Sequence, residues 1–249
     1  MSTDLMEEHT KYLKLGYVRA NHNALAAEAA RKHWTHADYL QRLLEGEVAT
    51  RQERALERRI VRARFPVKKT LDQYRWDWPA KINEQQVRHL FRMGFVESKT
   101  NVIFVGSVGL GKSHLASALG YAACQAGHSV LFTSAVDAVN NLVAAQAAHK
   151  LKTEMAKYIS PALLVLDELG YIPMDKVGAD LLFQIVSQRY ERGSIVLTTN
   201  KAYKQWSSIF NHDAGITSAI LDRLLHQAET VVIEGKSYRM KDQVVDPPN

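Results

Sequence analysis

An α/β fold, with a parallel sheet flanked by helices and preceded by a small all-helical N-terminal domain, is the architecture this 249-residue sequence predicts. Three observations lead to it. From Asn101 onward, short apolar runs alternate with helix-period segments, the pattern of parallel strands joined by right-handed crossovers. A glycine-rich octapeptide, Gly106 to Ser113, lies between the first of those runs and the helix pattern after it. Residues 1–64, by contrast, carry helical spacing and no strand-like alternation.

Taken in order, Leu25, Ala29 and Ala30 share one helical face in the first segment, and Tyr39, Leu40, Leu43 and Leu44 form a second amphipathic group. Residues 1–64 are therefore expected to be a helical domain, available for oligomerisation or for contact with a partner or DNA. Phe65-Pro66 interrupts it. Lys68 to Pro79 then carries aromatics without helical period and reads as an ordered linker. Its aromatics either cover one side of a nucleotide base or pack the two domains together. Residues 65–100 comprise this linker and the first helix of the next region. Strands are expected at 101–105, 129–134, 163–166, 195–199 and 230–233, inside a domain spanning 101–249. The helix after the glycine loop runs from His114 to Ala126, with Leu115, Ala118, Leu119, Ala122 and Ala123 on one face and Gly127 as its stop. Val136 to Ser160 holds more helix than one crossover needs and carries Lys150, Lys152 and Lys157. It is either an inserted helix that faces a partner or nucleic acid, or a long solvated crossover.

The octapeptide Gly106-Ser107-Val108-Gly109-Leu110-Gly111-Lys112-Ser113 satisfies G-x-x-x-x-G-K-[ST]. Glycines at 106, 109 and 111 let the backbone wrap a phosphate, and N–H groups at the start of the following helix point at the anion. Lys112 offers a point charge to β- and γ-phosphates, Ser113 a hydroxyl to Mg²⁺, and His114 follows directly. ATP and Mg²⁺ are the expected ligands. Leu163-Leu164-Val165-Leu166 ends in Asp167-Glu168, and two acids at the end of a buried strand are costly without a cation nearby. Asp167 suits Mg²⁺ coordination and Glu168 the activation of water. Ser194 to Thr199 is another apolar strand, and Asn200 at its end either contacts the water or γ-phosphate or is an ordinary turn residue. Arg223 in a helix and Arg239 after the last strand are each either surface residues or phosphate-sensing groups; spacing alone assigns neither role.

Bulk properties exclude several classes. The chain is 46% hydrophobic and 23% charged, so it is not compositionally disordered, and it contains no run of membrane-spanning length. Neither a signal peptide nor a transit peptide is indicated, and the cytoplasm is the expected compartment. Its one cysteine, Cys124, excludes an intrachain disulfide and reads as a small core residue. The net charge of +6 favours a polyanionic partner. Eight basic residues between Arg51 and Lys69, against Glu53 and Glu57, form either a nucleic-acid or acidic-protein contact or a solvated helix face.

Asp167-Glu168-Leu169-Gly170-Tyr171-Ile172-Pro173, followed by Ala179 to Gln184 and Ser187 to Ser194, closely resembles the IstB type of transposition helper. These are AAA+ ATPases, similar to the DnaC helicase loaders and the DnaA initiators. The resemblance is strong over residues 65–245 and weak in the helical N-terminus. It implies a P-loop AAA+ domain with Gly106–Ser113 as Walker A, Asp167 and Glu168 as Walker B, and Asn200 as sensor I. It implies that Arg223 is the trans-acting arginine finger and Arg239 sensor II. The segment between the second and third strands then matches the initiator-clade insertion. The resemblance also implies an ATP-dependent homo-oligomer on duplex DNA without sequence preference, and a partner transposase. Lys150, Lys152, Lys157 and Lys176 are the candidate DNA contacts. A replicative helicase loader, or a basic DNA-binding adaptor that does not hydrolyse ATP, are the alternatives.

Overall fold

A computed structural model of the chain describes residues 2–78 and 81–238, and it divides into two compact units, residues 1–58 and 59–249. The division falls inside a long helix, ahead of the Phe65-Pro66 interruption. The first unit holds α1 (Ser2–Tyr12), α2 (Gly16–Lys32) and most of α3 (His36–Ala63). His33, at φ 55°, closes α2, and Trp34 N–H reaches back to Ala29 O at 3.0 Å, the left-handed stop expected where a helix ends without glycine. Thr35 and Asp38 then cap α3 reciprocally, each side chain accepting the other's backbone N–H at 3.1 and 3.0 Å.

Buried Glu47 locks α3 onto the start of α2. It accepts Tyr17 N–H at 2.8 Å and pairs with Arg51 at 2.9 Å. Burial opposes its charge, but Arg51 and the Tyr17 and Val18 N–H groups outweigh that and hold the carboxyl below the usual carboxylate range. Next to it, Gly46 leaves room for the Tyr17 ring, which a Cβ would meet at 2.0 Å.

The second unit adds α4 (Glu84–Leu90) and α5 (Gly94–Glu97), then β1 (Asn101–Gly106), α6 (Lys112–Gln125), β2 (Val130–Ser134), α7 (Ala135–Ala147) and α8 (Leu151–Ile159). It continues through β3 (Leu163–Leu169), α9 (Lys176–Arg189), β4 (Ser194–Thr199), α10 (Ala214–Leu225) and β5 (Ala228–Ile233). The five strands pair in parallel in the order β2-β3-β4-β1-β5. Each expected strand is present within a few residues, and the segment between β2 and β3 contains two helices.

Side chains alternate across the sheet, as the two-residue period of a strand requires. Ile103, Leu164, Leu166 and Leu197 join a cluster with α7, α9 and α10, whereas Val165 lies against Gly120 of α6. Cys124 is buried and its thiol is pushed up to about 11 by burial, so it is a core residue.

Arg189 has an architectural role. It is 1% exposed, and its guanidinium donates to the carbonyls of Tyr158, Ile159, Pro161, Ala162 and Ser194 at 2.7 to 3.1 Å. It joins the end of α9 to the turn between α8 and β3 and to the first residue of β4. Burial pulls its pKa down to about 10.

Candidate functional site

Because all five strands run the same way, their C-terminal ends share one edge. The glycine loop at the end of β1, the acids of β3 and Asn200 after β4 meet there.

The loop's shape depends on its glycines. Gly109 and Gly111 lie at φ 80° and 83°, a region that L side chains rarely adopt. A Cβ at Gly106 would stand 2.3 Å from Ile233 O, so β5 needs that glycine bare. Lys112 is 4% exposed and its Nζ donates to Ser107 O at 2.7 Å, which folds the side chain back over the loop. Ser107 and Val108 are exposed on the outside of the loop, while Leu110 at 2% exposure anchors it to the core.

Ser113 Oγ donates to Asp167 Oδ1 at 2.9 Å, and Thr198 Oγ1 donates to the same oxygen at 2.5 Å. The first turn of α6 is thus tied to the ends of β3 and β4 through one carboxylate. Glu168 is exposed between buried neighbours and has φ 61°. Nearby, Asn200 Oδ1 is buried without a hydrogen-bond partner among the described residues, an orphaned acceptor at the edge where the loop and acids converge.

Among the described residues no group of three or more His, Cys, Asp or Glu could hold a metal by itself. One hydroxyl and one carboxylate, Ser113 and Asp167, are nevertheless hard oxygen donors at contact distance. They fit Mg²⁺, which usually keeps several waters and is completed by substrate phosphates.

The segment before α4 lies over this edge. Tyr74 places its ring 5.6 Å from His114 and donates from its hydroxyl to Leu110 O at 3.3 Å. A Cβ on Gly111 would meet the Tyr74 ring at 2.7 Å. His114 Nε2 pairs with Thr70 O at 3.0 Å, and burial lowers its pKa, favouring the neutral ring. His114 therefore lines the pocket while its polar contact is with this segment. From the other side, Tyr238 N–H donates to Gly109 O at 2.9 Å and the Tyr238 ring meets Trp78 at 6.5 Å. Together these groups enclose about 640 Å³, within the range of nucleotide-sized ligand pockets.

The remaining expected residues fall elsewhere. Half-buried Arg223 donates to Ala219 O at 3.0 Å and stacks 4.9 Å from the Phe183 ring. It borders the same crevice as Lys99 and Asn101, at the start of β1, roughly 17 Å along the strand from the loop at 3.3 Å per residue. Within one chain Arg223 and the loop are at opposite sheet edges. Arg239 lies outside the described residues. Lys150 precedes α8, Lys152 and Lys157 lie on it, and Lys157 pairs with Glu154 at 2.5 Å. Lys176 begins α9.

Thr198, which bonds Asp167, and Tyr238, which lines the pocket, are two residues to which sequence reasoning gave no role. In the sequence Thr198 is one threonine in a strand-like run, and its proximity to Asp167 arises from strand order, which no local spacing encodes.

No helix among the described residues is long and apolar enough to cross a membrane. In the solved structures, the DnaC helicase loader matches 66% of this chain and 96% of its own, at 23% identity and TM-score 0.54. DnaA from Aquifex aeolicus with AMPPCP bound matches 72% of this chain and 54% of its own, at 23% identity and TM-score 0.55. At such identity these likenesses speak for the fold, an AAA+ P-loop domain. In sequence, an ATP-binding protein of insertion sequence IS21 from Pseudomonas aeruginosa is 38% identical over 93% of this chain and 87% of its own length. One from insertion sequence IS5376 of Geobacillus stearothermophilus is 33% identical over 96% and 94%. The profile of the IstB-like ATP binding proteins matches residues 8–245, well into the helical N-terminal region, and the chain belongs to that family.

Proposed function

We propose that this chain is an ATP-hydrolysing switch of transposition. It oligomerises with ATP on duplex DNA, presents that DNA to a partner transposase, and comes apart when ATP is hydrolysed. The supporting observation is the division of the machinery between two edges: loop, acids and Asn200 converge at one, while Arg223 stands at the other. A subunit so built supplies most of one site and an arginine for its neighbour's.

In this reading the N–H groups of Gly109 to Ser113 and the Lys112 ammonium hold the β- and γ-phosphates. Ser113 and Asp167 would hold Mg²⁺, whose charge would offset that of the phosphate oxygens. Glu168, whose side chain is exposed beside the buried Asp167, takes the proton of the attacking water. The Asn200 amide orients that water, which answers its orphaned oxygen. Arg223 of the partner subunit meets the γ-phosphate and stabilises its developing charge. The products are ADP and phosphate. Lys150, Lys152, Lys157 and Lys176 supply phosphate contacts that carry no sequence preference and weaken steeply with salt.

Steady-state ATPase rates with and without duplex DNA test this reading, for the native chain and Arg223→Ala. Duplex DNA is expected to raise the rate, and Arg223→Ala to lower it by about 10³-fold or more, as arginine fingers do. A full rate in Arg223→Ala would contradict the shared site. A preference for single-stranded DNA would favour a helicase loader instead.

A further inference from the structure

We propose that Thr198 is a positioning residue that holds Asp167 and Glu168 in their working geometry through a single hydroxyl. This rests on the reading of those two acids given above.

The β3–β4 ladder is regular up to Leu166 opposite Leu197, and it resumes with Leu169 opposite Thr199. Two residues of β3, Asp167 and Glu168, therefore face one residue of β4, Thr198. That is a β-bulge, and bulges re-aim side chains beside functional sites. Here the bulge places Glu168 at φ 61°, where a residue with a Cβ is strained by about 1–2 kcal/mol. Something must hold it there. Glu168 N–H, which has lost its place in the ladder, donates to Thr198 Oγ1 at 2.9 Å, and that hydroxyl in turn donates a hydrogen bond to Asp167 Oδ1 at 2.5 Å. Thr198 is fully buried, and on its other side it is in register with Phe104 of β1. The hydroxyl thus closes the gap in the ladder and fixes two consecutive acids at once. Ser113 adds the second donor to Asp167 Oδ1. Asp167 is held from both the loop side and the β4 side, whereas the backbone of Glu168 is held by Thr198.

Removing the hydroxyl and keeping the shape separates this role from packing. Thr198→Val is isosteric and leaves Glu168 N–H unsatisfied, and Thr198→Ser restores the hydroxyl. The expected result is a kcat at least ~10-fold lower in Thr198→Val, because small misplacements of reacting groups cost this much or more. The Kd for a fluorescent ATP analogue measured without Mg²⁺ should stay within about threefold, since Lys112 and the loop N–H groups do not bond Thr198, and Thr198→Ser should return kcat to near the native value. Hydrogen–deuterium exchange without nucleotide gives a readout independent of turnover. The segment containing Glu168 should exchange at least ~10-fold faster in Thr198→Val and at the native rate in Thr198→Ser. Should Thr198→Val fail to bind the analogue, Thr198→Ala, which has no branched methyl to repack, takes its place. Native kcat in the variant without the hydroxyl, or a Thr198→Ser as impaired as Thr198→Val, would overturn the proposal. Glu168→Gln run alongside separates the two readings. If it hydrolyses ATP at the native rate, the role of Glu168 falls and the positioning role with it. If it is inactive while Thr198→Val is not, the positioning role alone is overturned.

Discussion

At the scale of single residues, two arginines that both lie near the end of a helix are bonded differently. Arg189 and Arg223 each follow an amphipathic helical stretch, and neither has an acidic partner in an ion pair among the described residues. Arg189 is spent on five backbone carbonyls, whereas Arg223 makes one backbone bond within its own helix and one ring contact. Removing Arg189 takes a donor from each of those carbonyls, of which Ala162 O still accepts Ser194 N–H at 3.2 Å, and each buried polar group left unsatisfied costs about 1–3 kcal/mol. Arg189→Met should therefore destabilise the second unit by at least ~3 kcal/mol in urea unfolding. Arg189→Lys should not restore it, because an ammonium cannot reproduce the planar fork. Stability within ~1 kcal/mol of native for Arg189→Met would remove Arg189 from the architecture.

At the scale of elements, what was legible followed local pattern. The strands of the second unit announce themselves as apolar runs, and the octapeptide between β1 and α6 reads as a phosphate loop because glycine spacing is local. Less visible was whatever depends on distant strands meeting. Residues 163–166 look like the whole of β3, yet the strand extends to Leu169 through a bulge that the hydroxyl of Thr198 supports from β4. The aromatics of 68–79 offered two readings, and Tyr74 and Trp78 line the pocket beside the glycine loop. The breaks within residues 1–64 were also hidden, because His33 closes α2 from a left-handed conformation that glycine usually adopts. In that helical unit Glu47 makes a pH-dependent link between α2 and α3. Its folded pKa is depressed, so its stabilisation is present above the unfolded value of 4.5 and is lost as pH falls through the folded one. Circular dichroism of thermal unfolding should show Tm falling below pH 4.5 in the native chain, with a shallower fall in Glu47→Gln. Identical pH profiles would show that Glu47 is not the responsible group.

At the scale of the whole molecule, the sheet separates a nearly complete phosphate site from an arginine at its other edge. In the function proposed above, that arrangement would make hydrolysis a property of neighbours, so that assembly and turnover become one event. Nucleotide seated at such a junction adds its binding free energy to the oligomer, and its cleavage removes it. If the site is shared between subunits, two variants that are inactive alone should complement each other when mixed. Arg223→Ala keeps Glu168 and lacks the arginine, while Glu168→Gln keeps the arginine and lacks the carboxylate. Neither should hydrolyse ATP alone on duplex DNA. Mixed in equal amounts, some neighbouring pairs combine an intact Glu168 with an intact Arg223, and the ATPase rate should recover to about a quarter of native if subunits mix at random. A mixture no more active than its two components would contradict the account.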